Sequence, residues 1–568
     1  MKDANHSGTS VTLAAALAAL VATVIPTAAW AANTTQTRVS LARPDASACG
    51  PISPFSYSMG VATALCPPRP GVADAVGPGV PGGAAPSGLS TEAPVCGPSA
   101  LPDRCEAWIT DFYNGTGNGP DYSGSVDTLN EHIAATSRDG KIVYQAGTTD
   151  TNPSTGYDWD IALFAVDAAT GSRLWTRTYA GSEERRDAQA YSLVVGGTTV
   201  FVTGTRSASL EDPEAVVLAF DGTTGTLLWE SVFPGVLFTS AANPDGSRLF
   251  VGGAKFGTNG IAIGTIRALD GTTGETVWND SLAATGGNGI NGYRLAATPD
   301  GNRVVLAAGR FSTSGLDMGV TQRLVIATYD GTVRALPEDE GTRLSVVEHP
   351  SQGTLPLGVV VNSDGTRAYV TQSLAVSDTL TIGVDTVEGK VAWTHQYGGP
   401  APGSSWTFAW GYQPIALSPN GKVVYVGEYE ALVVGQVKGF ALEAIQAVQG
   451  SPSEPAAGTQ LWTAHQTGNV ATCYGCGPSV TAPTNSRVVI TGQIPYPGVA
   501  YQFMTTAYDA SGVPVWTRVF REGRTGYSRT IVPSPDGSRV YVAGSAGTMT
   551  ATATDRSVDI LMTAYDTA

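Results

Sequence analysis

The chain has 568 residues, of which 69 are glycine and only 14% are charged, with a formal net charge of −16. Affinity for phosphate backbones and anionic lipid rests on clustered Lys and Arg, so this balance excludes nucleic acid as a partner. The length exceeds one ordinary compact core, and the glycine-rich, charge-poor composition suits an all-β architecture of short strands that grows by repetition.

The first predicted element is an apolar run, VTLAAALAALVATVIPTAAWA, ending in Ala29-Trp30-Ala31. It reads as a secretory signal, residues 1–31, cleaved after Ala31, although Lys2 is the only basic residue before it and a retained N-terminal anchor is the alternative. No later window is apolar over eighteen residues, so no membrane span is expected after cleavage. The expected location is therefore secreted or extracellular.

Residues 32–104 are rich in Pro, Gly, Ala and Ser and lack apolar periodicity, which describes a linker-like segment. Six cysteines follow the signal: Cys49, Cys66, Cys96, Cys105, Cys473 and Cys476. An even count in an exported chain favours disulfides, and sequence proximity suggests pairing in that order, two by two. CYGC around Cys473 and Cys476 could instead be a redox or metal pair, but no second His or Cys cluster stands nearby. Gly477 replaces the histidine that haem attachment needs.

From residue 105 to 568 the chain repeats. One unit is a hairpin turn followed by an alternating strand, as in SRDGKIVYQAG, NPDGSRLFVGG, TPDGNRVVLAAG, NSDGTRAYVTQS and SPDGSRVYVAGS, and it recurs eight times. The other is a strand ending in Asp, a Thr-Gly-type turn, and a strand bearing tryptophan. Asp167, Asp221, Asp270, Asp385 and Asp509 lead in this way to Trp175, Trp229, Trp278, Trp393 and Trp516. The fourth copy keeps Asp330 without a tryptophan; the sixth has Ala441 and an insertion before Trp462. The last stops after Asp566, and the missing strand is found at Trp108. These features predict an eight-bladed β-propeller of four-stranded antiparallel blades, about 58 residues each, closed by an N-terminal strand in the last blade. The seven tryptophans are expected to dock one blade on the next.

The unit Ala-x-Asp-x-x-Thr-Gly-x-x-x-Trp resembles the tryptophan-docking repeat of the quinoprotein-like superfamily, named for alcohol dehydrogenases that hold pyrroloquinoline quinone. The resemblance spans residues 105–568 and implies the propeller fold. It does not imply a reaction, since the superfamily includes assembly factors as well as enzymes. Quinone dehydrogenases of that kind carry adjacent cysteines and an acidic calcium set. This chain has no Cys-Cys, so the quinone is not expected. The chain also resembles exported bacterial repeat proteins with a YNGxGNGxD motif, matched from Tyr113 to Gly119.

Ligands of propellers meet the mouth of the central channel. Three loops entering inner strands share a Gly-Tyr step, giving Tyr293, Tyr412 and Tyr527, with Arg294 and Arg529 close by. Tyrosine could donate or take a proton and arginine clamp a carboxylate, as acidic polysaccharides require; the plainer reading packs each tyrosine under its own loop. Trp406 and Trp410 lack counterparts in other blades and could stack on sugars or fill a gap. His132 enters an inner strand and is the one histidine placed to face a ligand; His349, His395 and His465 are scattered. Asp158 and Asp160 flank Trp159, where calcium is conceivable but no further ligand set is evident. Glu183 to Asp187 read as a solvated loop. No HExxH and no GxSxG occurs.

The function this predicts is a monomeric binding or scaffold propeller for an extracellular glycan, peptide or cell-envelope component, without a cofactor. The alternative is an extracellular polysaccharide lyase or hydrolase with its site at the channel mouth, and a third is a quinone-dependent dehydrogenase.

Overall fold

The computed structural model describes residues 107–111 and 133–568, apart from 151–158, 182–186, 208–212, 257–261, 283–287, 313–320, 334–342, 375–377, 399–413, 434–435, 473–477, 497–498, 521–524 and 548–557. The signal, the Pro/Gly-rich segment, all six cysteines and the Tyr113–Gly119 motif lie outside them.

The described residues form eight four-stranded antiparallel blades and no helix, the arrangement of a β-propeller. Each blade opens with a short inner strand: Ala134–Thr136, Asp187–Gly196, Val236–Ala242 and Asn288–Ala297 in blades 1 to 4. In blades 6 to 8 these are Ile415–Leu417, Ser479–Thr484 and Thr525–Pro533. Blades 4 and 5 share one 19-residue strand, Arg343–Val361, which is outermost in blade 4 and innermost in blade 5. Inner strands of successive blades contact one another around the ring, and that of blade 8 reaches that of blade 1.

The central strands are buried on both faces, as Thr379–Asp385 is throughout and Pro213–Asp221 is over most of its length, because each blade is sandwiched between two others. The buried apolar residues accordingly fall into eight clusters, one at each blade-to-blade interface. The core of this molecule is thus eight thin layers.

The ring closes as the sequence predicts. Trp108–Asp111 pairs antiparallel with Val558–Asp566, with Trp108 opposite Ala564, and completes blade 8. Strand register also revises one reading. In blade 6 it is Gln446 that stands opposite Val423, where other blades place their Asp opposite the equivalent residue, so Ala441 lies five residues short of that position.

Candidate functional site

Docking of the blades begins with the turn that follows each Asp. Oδ1 of Asp221 accepts the amides of Thr223 and Thr224, and Asp167, Asp270, Asp385 and Asp509 act similarly. The chain then turns at a glycine with positive φ, 71° at Gly171 and 68° at Gly225. A Cβ on Gly171 would meet the Trp108 ring at 2.6 Å, so the glycine also clears room for the incoming tryptophan.

Five of the seven docking tryptophans then donate to the next blade. Nε1 of Trp108 reaches the Ala168 carbonyl at 3.0 Å, Trp175 reaches Gly222 at 3.1 Å, and Trp229 reaches Gly271 at 3.1 Å. Trp393 reaches Ala447 and Trp462 reaches Ala510, both at 3.0 Å. Trp278 and Trp516 make no such bond among the described residues; they stack on Tyr329 and Tyr565, with centroids 5.7 Å away in both cases. A second aromatic from the alternating hairpin strand packs against most of them: Tyr541 on Trp108, Tyr144 on Trp175, Phe201 on Trp229 and Tyr369 on Trp393.

Blade 4 shows what the repeat requires. Every tryptophan lies across from Ala or Gly on the neighbouring strand, as Trp175 from Ala165 and Trp393 from Gly383. In blade 4 the equivalent pair is Thr328 with Ser345, and Val305 replaces the hairpin aromatic. Ser345 still sends its hydroxyl to the Thr386 carbonyl of blade 5, at 3.4 Å.

A second docking position, which the sequence did not reveal, lies two residues beyond the tryptophan. Thr110, Arg177, Ser231 and His395 each bond the turn-glycine carbonyl of the next blade: Gly171, Gly225, Gly274 and Gly458. Its chemistry varies from Thr to Arg to Ser to His, so residue identity carries no repeat signal there.

At the channel, five inner strands bulge at one level. The residues inserted are Tyr191, Phe238, Gly292–Tyr293, Leu357 and Arg529. Tyr191 and Phe238 meet edge to face at 5.6 Å, and the Tyr191 hydroxyl donates to Gln189 at 3.0 Å. Arg529 is buried, with its guanidinium 5.8 Å from the Tyr527 ring. Arg294, also buried, donates Nε to the Leu357 carbonyl of blade 5 at 2.9 Å. The two arginines stand on blades 4 and 8, half a turn of the ring apart.

Tyr293 sits in the bulge whereas Tyr527 lies two residues before the equivalent position, so the Gly-Tyr steps do not share a register. His132, Trp406, Trp410, Tyr412 and Asp158 lie outside the described residues, as do the side chains of Tyr293 and Trp159. Asp160 is buried on the third strand of blade 1.

Several polar groups near the inner strands join blades. Gln493 donates to the Ser528 carbonyl at 2.7 Å, Ser479 to Arg529 at 2.9 Å, and Gln145 to Gly544 at 3.3 Å. Ser192 and Ser240 share a bond of 2.8 Å. Among the described residues no three His, Cys, Asp or Glu side chains are grouped to hold a metal ion.

These features define an eight-bladed, tryptophan-docked propeller. The family model described as outer membrane protein assembly factor BamB matches residues 160–320 and 216–453, which together span just over half of the chain. The chain belongs to that family, and with it to the propellers built of quinone-like repeats. No curated protein matches it. Among solved structures, the Dos1 propeller matches with 12% identity over 77% of this chain and 93% of its own, at a TM-score of 0.44. Hydrazine synthase of Kuenenia stuttgartiensis matches with 16% identity over 62% and 91%, at 0.38. At these values neither carries an argument.

Proposed function

We propose that the protein is a non-catalytic binding or scaffold propeller of the cell envelope or extracellular space, taking an extended peptide, glycan or envelope component at its channel mouth. Membership of a family described as an outer membrane protein assembly factor supports an envelope setting. No helix among the described residues is long and apolar enough to cross a membrane.

The observation that carries the reading is how the polar groups around the channel are used. Arg294, Gln493, Gln145 and Ser479 donate to backbone carbonyls of neighbouring blades. A catalytic group must instead reach the substrate with a movable proton or a developing charge to stabilise. Such a frame holds its inner strands at fixed spacing, which suits recognition. The Arg529–Tyr527 pair favours a second reading, an enzyme acting on acidic polysaccharide, because arginine and tyrosine together suit a carboxylate and a proton transfer.

The test is a thermal-shift and calorimetric screen of the protein against extended β-strand peptides, acidic and neutral glycans, calcium alone, and pyrroloquinoline quinone with calcium. Saturable stabilisation by a peptide or glycan, with no product formed on long incubation, is expected. Cleavage of an acidic glycan that Arg529→Ala abolishes would establish the enzyme instead. Quinone-dependent alcohol oxidation would overturn both readings.

A further inference from the structure

The interface between blades 5 and 6 carries a histidine with both ring nitrogens engaged. His395 Nδ1 lies 3.1 Å from the Gly458 carbonyl, and its Nε2 lies 2.8 Å from Oε1 of Glu443. Both partners belong to blade 6, and the Glu443 side chain is 1% exposed. At the same position Thr110, Arg177 and Ser231 make the first of these bonds with groups that do not titrate near neutrality.

A carbonyl oxygen only accepts, so Nδ1 must carry hydrogen to make its bond. A carboxylate likewise requires a proton between Oε1 and Nε2. Both bonds therefore exist only while the pair keeps that additional proton. When it leaves, the neutral ring has one N–H for two acceptors. Either tautomer then sets a nitrogen lone pair against a buried oxygen.

We propose that His395 and Glu443 form a protonation-dependent latch that clasps blade 6 to blade 5 while the pair holds its additional proton and loosens as rising pH removes it. Further titratable groups lie on the elements that carry the pair. Glu428, buried on the second strand of blade 6, and His465 on its outer strand share the face that presents Glu443. Tyr397 lies two residues from His395 on the same face of blade 5, and Glu454, in the turn before Gly458, is paired with Lys422. The hydrogen bond to Glu443, more than any other cause, lifts the His395 imidazolium above its ordinary value near 6.5, against an opposing effect of burial. With the folded value raised, the contribution to stability is complete below about pH 6.5 and is lost as pH rises through the folded value.

The experiment is thermal unfolding of the full chain between pH 5.5 and pH 9, beside His395→Gln and Glu443→Gln, with 13C-histidine NMR of the unmodified protein. The parent is expected to lose roughly 2–4 °C more than either variant across this range. One imidazole of the folded protein should titrate above the ordinary value, and its signal should vanish in His395→Gln. Parallel pH profiles for parent and variants would overturn the latch. So would a spectrum in which no imidazole titrates above the ordinary value, a result readable even if neither variant folds.

Discussion

Tryptophan docking joins three residues: the indole, the Ala or Gly across from it on the neighbouring strand, and a glycine in the next blade's turn. A Cβ on Gly383 would fall 2.3 Å from the Trp393 ring, which shows how closely the indole lies against its neighbouring strand. Trp175→Ala removes both the ring and the bond to Gly222, and is expected to cost about 3–5 kcal/mol in chemical denaturation. In blade 4, Thr328 and Ser345 stand as a matched departure from the repeat. Ser345→Trp alone should destabilise, because the indole would meet the Thr328 side chain. Combined with Thr328→Ala it should recover, with a coupling of about 1–3 kcal/mol in a double-mutant cycle. Additive effects would show that the two positions do not form one site.

At the scale of the strand and hairpin, the Asp of five hairpin turns, Asp139, Asp245, Asp300, Asp364 and Asp536, is held as an anion by hydrogen-bond donors. Asp536 is the extreme case: the Ser534 hydroxyl, the Ser538 amide and the Ser538 hydroxyl lower its value to about 2. Asp139, Asp300 and Asp364 shift the same way, each led by a hydroxyl two residues away. A depressed carboxylate stabilises the fold above its unfolded value, near 3.8, and the benefit disappears as pH falls toward 2. Asp536→Asn should therefore melt below the parent at pH 6, with the difference closing as pH falls toward 2. A constant gap over that range would assign the loss to packing instead.

These elements were also the most legible part of the sequence. An Asp-Gly turn followed by Val-Tyr-Val encodes its hairpin locally, and the eight copies, with the strand around Trp108, specify the closed ring. Register within a departed copy was not legible: in blade 6, the insertion before Trp462 hid that Gln446 occupies the Asp position. The channel was read less well for a related reason. A bulge adds one residue to an inner strand without a sequence mark, so equal Gly-Tyr steps at Tyr293 and Tyr527 fall at different levels. The donors at Thr110, Arg177, Ser231 and His395 were invisible because four side-chain types perform one task.

Over the described residues, stability is spread across eight apolar layers rather than one centre, each layer formed between neighbouring blades. A ring of this kind is as sound as its closing seam. That seam, between blades 8 and 1, is heavily stitched. Trp108, Arg539 and Tyr541 all converge on the Ala168 carbonyl, Thr110 bonds Gly171, and Thr136 bonds Pro533. The binding reading depends on it, since the inner strands around the channel hold their spacing only while the ring stays closed.

Hydrogen exchange of the amides in residues 107–111, compared with those of Val558–Asp566, tests this closure most directly. The closed ring predicts that both strands exchange together, as slowly as the central strands of the other blades, and that Trp108→Ala releases both. Rapid exchange of 107–111 while Val558–Asp566 stays protected would contradict it, leaving blade 8 with three strands and the ring open.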